Sequence, residues 1–368
     1  MNLSKTKTMA VIFLMVTGLC IPLSVLAKSD LPPAPVNASD FLKGLDINGD
    51  MKFRYEYIDE DKSGVKSIDR MRGQFRLGMT WNNPDENWKV VAGLCTGGVA
   101  GNSSLATYSD SQVFQHNEIR MDYAYAENHL GDFKFLAGQQ KNPFATSWVF
   151  WDVDLRPAGL TAAVDLNPVF ITAGVYQARY VDRDIAGMEA VQIGAKTDFM
   201  MAAVAFYNYH RINEYVLTET MNQNYKYQII DFYVSGKINT DPVALTPYAQ
   251  AFYNAGAKGN NGQSILGAGL DPGDESMGYV VGVDAKIDSF KLGAAWAQIG
   301  ADSVMQSIMD SNFGTGLNGT DTQGVKLNLG YDLTRHCSLD GIAYLYEAME
   351  RHLDQHVQMY ELDLNYKF

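Results

Sequence analysis

Beyond residue 27 the chain has no long apolar run. A membrane-crossing helix needs about 18 consecutive apolar residues, and the best stretch, Phe199 to Tyr207, has nine. Cysteine is scarce as well, with three in 368 residues (Cys20, Cys95 and Cys337), too few for a disulfide-stapled scaffold. Positive charge is in deficit: 29 Lys and Arg face 42 Asp and Glu, a net charge of −13. That balance argues against nucleic acid as a partner. Charged residues make up only 19% of the chain, whereas Gly (33), Tyr (21) and Phe (17) are plentiful. Such a composition suits many β-strands with Gly-rich loops and does not suit packed helices.

Motifs for catalysis, cofactors and metals also fail. Gly314, Gly316 and Gly319 match G-x-G-x-x-G, but they precede a strand-like segment instead of a helix, so the phosphate-binding context is missing. Asp46, Asn48 and Asp50 imitate the start of a calcium loop, yet Met51 stands where Gly is required and Tyr57 where the closing Glu belongs. Gly262 and Ser264 lack the last Gly of a nucleophile elbow. His352 and His356 have i,i+4 spacing in a region that reads as loop and strand, where that spacing does not make a helical pair. No enzyme activity, no cofactor and no metal are expected.

Residues 1–27 read as a secretory leader. Lys5 and Lys7 precede the mostly apolar Met9 to Leu19, and Val25-Leu26-Ala27 offers a cleavage site before Lys28. Leu19 does not suit a lipoprotein site at Cys20. Removal of the leader takes two lysines with it, moving the net charge from −13 to −15. Residues 28–45 contain Pro32, Pro33 and Pro35 and little pattern, and are expected to form a periplasmic lead-in. Residues 46–368 are expected to form one domain.

That domain is patterned throughout. In its last segment Tyr360, Leu362, Leu364, Tyr366 and Phe368 share one face, and Met359, Glu361, Asp363, Asn365 and Lys367 the other. Sixteen alternating segments are predicted: 47–58, 70–81, 87–96, 117–127, 133–140, 157–165, 169–179, 188–197, 199–210, 226–238, 243–254, 277–287, 290–299, 323–333, 337–347 and 356–368. Short links (Asn82–Glu86, Asn128–Asp132, Leu166–Pro168, Asp198, Asn239–Pro242, Asp288–Ser289, Thr334–His336) alternate with long ones (Gly97–His116, Lys141–Arg156, Arg211–Tyr225, Ala255–Ser276, Gly300–Thr322). This asymmetry predicts an all-β, transmembrane antiparallel β-barrel with short periplasmic turns and long outer loops. A lipid-exposed sheet edge would leave backbone groups unsatisfied, so the last strand should pair with the first. Cys95 and Cys337 then fall at opposite membrane faces, and no disulfide is expected between them.

The charges select the faces. An Arg or Lys facing lipid at mid-membrane costs about 2–4 kcal/mol. Lys52, Arg54, Arg70, Arg72, Arg76, Arg120, Glu118, Asp122, Glu361 and Asp363 are therefore assigned to the lumen. Met51, Phe53, Tyr55 and Tyr57 are assigned to lipid, as are Ile119, Met121, Tyr123 and Tyr125. Around Met201, Ala202 and Ala203 either face fits. Trp81, Trp88, Tyr125, Phe133, Phe290, Tyr331, Tyr366 and Phe368 are expected in a periplasmic aromatic girdle. Tyr57, Tyr207, Phe252, Tyr279, Trp296 and Tyr346 are expected in an outer one.

Several stretches together resemble the bacterial putative porin family. Asn48 to Glu56 (NGDMKFRYE) looks like its first strand and Arg70 to Trp81 (RMRGQFRLGMTW) like its second. Trp151 to Leu160 (WDVDLRPAGL) is similar to the segment after its fifth strand. The resemblance implies a porin of the Gram-negative bacterial outer membrane that lets small hydrophilic solutes or ions diffuse through a water-filled lumen. A substrate-specific channel is the alternative, and a non-conducting barrel acting as enzyme or adhesin a weaker one. The implied partners are outer-membrane lipid and lipopolysaccharide, the barrel-assembly machinery, and the solutes themselves. Tyr366 and Phe368 resemble the barrel-assembly signal. A homotrimer fits the family, although no sequence feature selects the wall it would cover.

In many porins the third outer loop folds inward. Here that loop, Lys141–Arg156, carries Asp152 and Asp154 beside Trp148, Phe150 and Trp151. These two carboxylates could form a constriction facing Lys52, Arg54, Arg70, Arg72, Arg76 and Arg120 across the lumen. Alternatively, those basic residues pair along the wall with Glu56, Glu118, Asp122, Glu361 and Asp363.

Overall fold

The computed structural model describes residues 42–368 apart from 63, 84–86, 98–102, 182–183, 211–224, 261–262, 269, 318 and 351–354. The expected leader and most of the lead-in lie outside the described residues, as do His352 and part of the long link 211–225.

Sixteen strands build the wall. The first five are β1 (Leu45–Glu60), β2 (Ile68–Asn83), β3 (Trp88–Gly97), β4 (Glu118–Leu130) and β5 (Phe133–Gln139). Then come β6 (Ala158–Asp165), β7 (Val169–Val181), β8 (Asp184–Lys196) and β9 (Met200–His210). Next, β10 (Tyr227–Gly236, continued by Ile238–Thr240), β11 (Val243–Asn254), β12 (Met277–Ile287) and β13 (Phe290–Ile299) follow. The last are β14 (Thr322–Asp332), β15 (Cys337–Ala348) and β16 (His356–Lys367). Every neighbouring pair is antiparallel, and β16 pairs with β1 from Lys367 opposite Asp50 to Val357 opposite Glu60. The barrel is closed, with sixteen strands as the alternation predicted. Among the described residues no helix is long and apolar enough to cross a membrane.

The closing seam explains a Gly within a strand. Gly49 and Phe368 exchange both backbone hydrogen bonds at 3.0 Å. A Cβ on Gly49 would stand 2.4 Å from the Phe368 ring, so only Gly lets the terminal aromatic lie flat there. Phe368 also stacks near Phe75, with ring centroids 6.4 Å apart.

The wall differs from the sequence reading in three places. First, β7 and β8 extend to Val181 and Asp184, which pair with each other, so only two residues separate the strands. Second, a bulge in β4 places Gly93 opposite Tyr123 but Leu94 opposite Met121, with Asp122 as the extra residue. The bulge flips the phase downstream: Tyr123 is buried against the inner face of Gly93, and Tyr125, adjacent to it, follows the same side. Neither faces lipid. Third, Tyr207, Phe252 and Tyr346 of the expected outer girdle are 0%, 1% and 4% exposed and point inward. Tyr279 and Trp296 stay outside, their rings 5.2 Å apart. In β9, where the sequence was ambiguous, Ala203, Ala205, Tyr207 and Tyr209 are buried while Val204 and Phe206 are exposed. Cys95 lies toward the long-loop end of β3 and Cys337 begins β15 at the other end; both thiols are free.

Candidate functional site

The barrel interior has two unlike sectors, and the loop between β5 and β6 joins them. On β16, β1, β2 and β4 many inward positions carry charge. Arg54 is 3% exposed and forks onto Asp363, Nε to Oδ1 at 2.6 Å and the second terminal nitrogen to Oδ2 at 2.7 Å. Its remaining nitrogen donates to Glu361. Lys52 also reaches Asp363, at 2.8 Å. Buried Glu56 accepts from Arg70 at 2.5 Å and Arg72 at 3.0 Å. These pairings follow from register, since Arg54 stands directly opposite Asp363 and Arg72, and Glu56 opposite Glu361 and Arg70. Two like charges side by side across strands would repel; the interleaved guanidinium groups remove that cost.

Arg76 pairs with Asp50 through Nε at 3.0 Å. Arg120 donates to the Ser103 carbonyl, and Asp122 holds Arg156 at 2.8 Å. Glu118 is exposed at the long-loop end of β4. Tyr366 and Phe368 are exposed on the outer wall. The basic residues thus find partners along the wall or in loop backbone.

The other sector is aromatic. Tyr207, Tyr209, Tyr227, Phe252, Tyr344 and Tyr346 line it and are all buried. A buried wall of rings needs something apolar to pack against, and two loops supply it. From the loop Gln140–Pro157, Phe144 meets Tyr207 edge-on at 5.4 Å. Phe150 sits 5.3 Å from Tyr207 and 5.0 Å from Phe252. From the loop Gly300–Asp321, Val304, Met305, Ile308, Met309, Phe313 and Leu317 are buried in the same cluster.

Polar contacts fix the first loop's path. Gln140 N donates to Pro157 O at 3.0 Å, closing its base. Gln192 of β8 bonds both backbone groups of Ala145 at 2.8 Å. Gln250 of β11 accepts from Ser147 N at 2.8 Å while donating to buried Asp231 at 2.7 Å. Trp148 donates to the Tyr248 hydroxyl at 3.0 Å, and its ring carries the Lys326 ammonium 4.3 Å from its centroid. The two loops also bond to each other, Asp152 N to Ile308 O at 2.8 Å.

Asp152 and Asp154 do not look across open space at the basic wall. Asp152 accepts from Asp154 N at 2.8 Å and Ser311 N at 3.1 Å. Asp154 accepts from Ser104 N and its hydroxyl at 3.0 and 2.9 Å. Both carboxylates tie loops together. No sequence signal identified Gln192 and Gln250, because a lone inward Gln looks like any lumen residue until the loop is placed.

Beneath this loop, on the charged side, lies a cavity of about 490 Å³. Asp50, Arg76, Asp122 and Tyr123 line it from the wall, and Lys141, Trp148, Trp151, Asp152 and Arg156 from the loop. Partial desolvation, together with the nearby Arg156 and Arg76 guanidinium groups, pushes the Lys141 ammonium below its ordinary value.

No described protein family matches the chain, and neither does any curated protein. Solved porin structures do. Two variants of the Rhodopseudomonas blastica porin align over 88% of this chain and all of theirs, each with a TM-score of 0.54, at 10% and 9% identity. At such identities the likeness is one of architecture: the chain has the fold of the sixteen-strand porin barrels.

Proposed function

We propose that the protein is an outer-membrane channel through which small hydrophilic solutes diffuse passively, narrowed by the loop Gln140–Pro157. One observation carries this reading. Inside a closed barrel of porin fold, the loop is anchored across the interior yet leaves a cavity of about 490 Å³ against the charged wall. Charged inward positions hold water where an apolar interior would exclude it. On this reading residues 1–27 are removed on export, residues 28–45 lie in the periplasm, and the barrel from residue 46 sits in lipid.

Lys52, Arg54, Arg70, Arg72, Arg76, Arg120, Asp122, Glu361 and Asp363 form the pore wall, with Glu118 at its outer mouth. Asp152 and Asp154 hold the constriction loop in place. Tyr366 and Phe368 serve assembly. The loops packed on the aromatic sector favour a narrow, selective channel over a wide general pore. Single-channel recording of the refolded chain under a salt gradient tests the proposal. Small, discrete steps support it, and a correctly folded barrel that never conducts overturns it.

A further inference from the structure

The cavity beneath the loop has an uneven chemistry. Its carboxylates are engaged: Asp122 by Arg156, Asp50 by Arg76, and Asp152 by two backbone N–H groups. Its cations are not balanced in the same way. Arg76 spends only Nε on Asp50. Lys141, exposed at the cavity wall, has its ammonium 5.0 Å above the Tyr123 ring and no carboxylate within ion-pair distance among the described residues. Edges of Phe144, Trp148 and Trp151 also line the cavity. Ligand sites are commonly of this size.

We propose that this cavity is a binding site for small organic monocarboxylates with a ring or similarly compact apolar body, and that Lys141 receives the carboxylate. This rests on the channel reading for its role in passage, but not for binding itself. An inorganic anion would use Lys141 and leave the aromatic surface unused. A neutral ring compound would do the reverse. Only a molecule with both parts satisfies the cavity. Tyr123 reaches this position through the bulge at Asp122, and Gly78 and Gly93 leave room for its ring, since a Cβ at either would lie 2.5–2.6 Å from Tyr123. The Lys141 perch is therefore built by the strand irregularity, and the alternation alone does not contain it.

Benzoate is a suitable probe, with benzyl alcohol and sulfate as the half-matched controls. Calorimetric titration of the full refolded chain in detergent is expected to show benzoate binding that weakens at least tenfold in Lys141→Gln. Both controls should bind at least tenfold more weakly. Lys141 is exposed, so this variant should fold, and a benzoate-independent check is the retention of its folded electrophoretic band. In bilayers, benzoate should reduce the current of the wild-type channel over the concentrations at which it binds. Absence of benzoate binding to folded protein overturns the proposal, as does equal affinity in Lys141→Gln. Lys141-dependent binding by a barrel that never conducts keeps the site and removes the channel reading instead.

Discussion

The two sectors of the interior solve the same problem by opposite means. On β16, β1 and β2 many inward side chains are charged, and ion pairs set by strand register satisfy them. On β7 to β15 many are rings and aliphatics, satisfied by loops folded back into the barrel. A barrel wall therefore does not need a polar inner face everywhere, only one for each stretch that water reaches. The ion pairs joining β16, β1 and β2 are self-sufficient, because their partners are neighbours in the wall. The aromatic sector depends on segments far away in sequence. The first should resist loop changes and the second should not.

The largest effect is expected from breaking the charged sector at its centre. Arg54→Ala would leave Asp363 and Glu361 buried without their shared partner, and removing one member of a buried ion pair costs about 3–5 kcal/mol. Urea titration of the folded barrel measures the loss. A result near zero would mean that water already solvates this cluster. Next, Gln250→Ala would leave Ser147 N and Asp231 unsatisfied, at about 1–3 kcal/mol. It should also raise single-channel conductance by loosening the loop, an effect that Arg54→Ala should not share. Smaller still, Asp154→Asn keeps one acceptor oxygen for Ser104, so about 0.5–1 kcal/mol is expected. The reversal potential should move less than in Lys141→Gln under the same gradient.

The smallest effect is one of pH in the outer loops. Burial and the nearby Asp321 and Glu350 hold the Glu275 carboxyl above its ordinary value, and burial does the same for Asp310. A carboxyl raised in the folded state binds more protons there than in the free chain, so acidification from neutrality stabilises the packed loops. Proteolysis of the loops should slow between pH 7 and pH 5. Faster cleavage would contradict that sign.

Legibility in the sequence follows the same contrast. Where one face is charged and the other apolar, as in Lys52 to Tyr57 or Tyr360 to Phe368, alternation alone gives strand, face and closure. In β9 both faces are apolar, so Tyr207 looked like a girdle residue, although what it faces is Phe144 and Phe150 from a distant loop. The bulge at Asp122 was hidden for a related reason: Met-Asp-Tyr-Ala-Tyr alternates acceptably in either phase. Asp152 and Asp154 are legible as loop carboxylates, but their partners Ser104 and Ser311 become neighbours only after the barrel has closed.

On the proposed function, the inward loop anchored on the aromatic sector sets the size of the pore. Single-channel conductance of the wild-type chain beside a variant with residues 144–152 replaced by Gly and Ser tests it most directly. Small wild-type steps are expected, with steps several-fold larger in the variant and the folded barrel retained. Equal conductance in the two would contradict it.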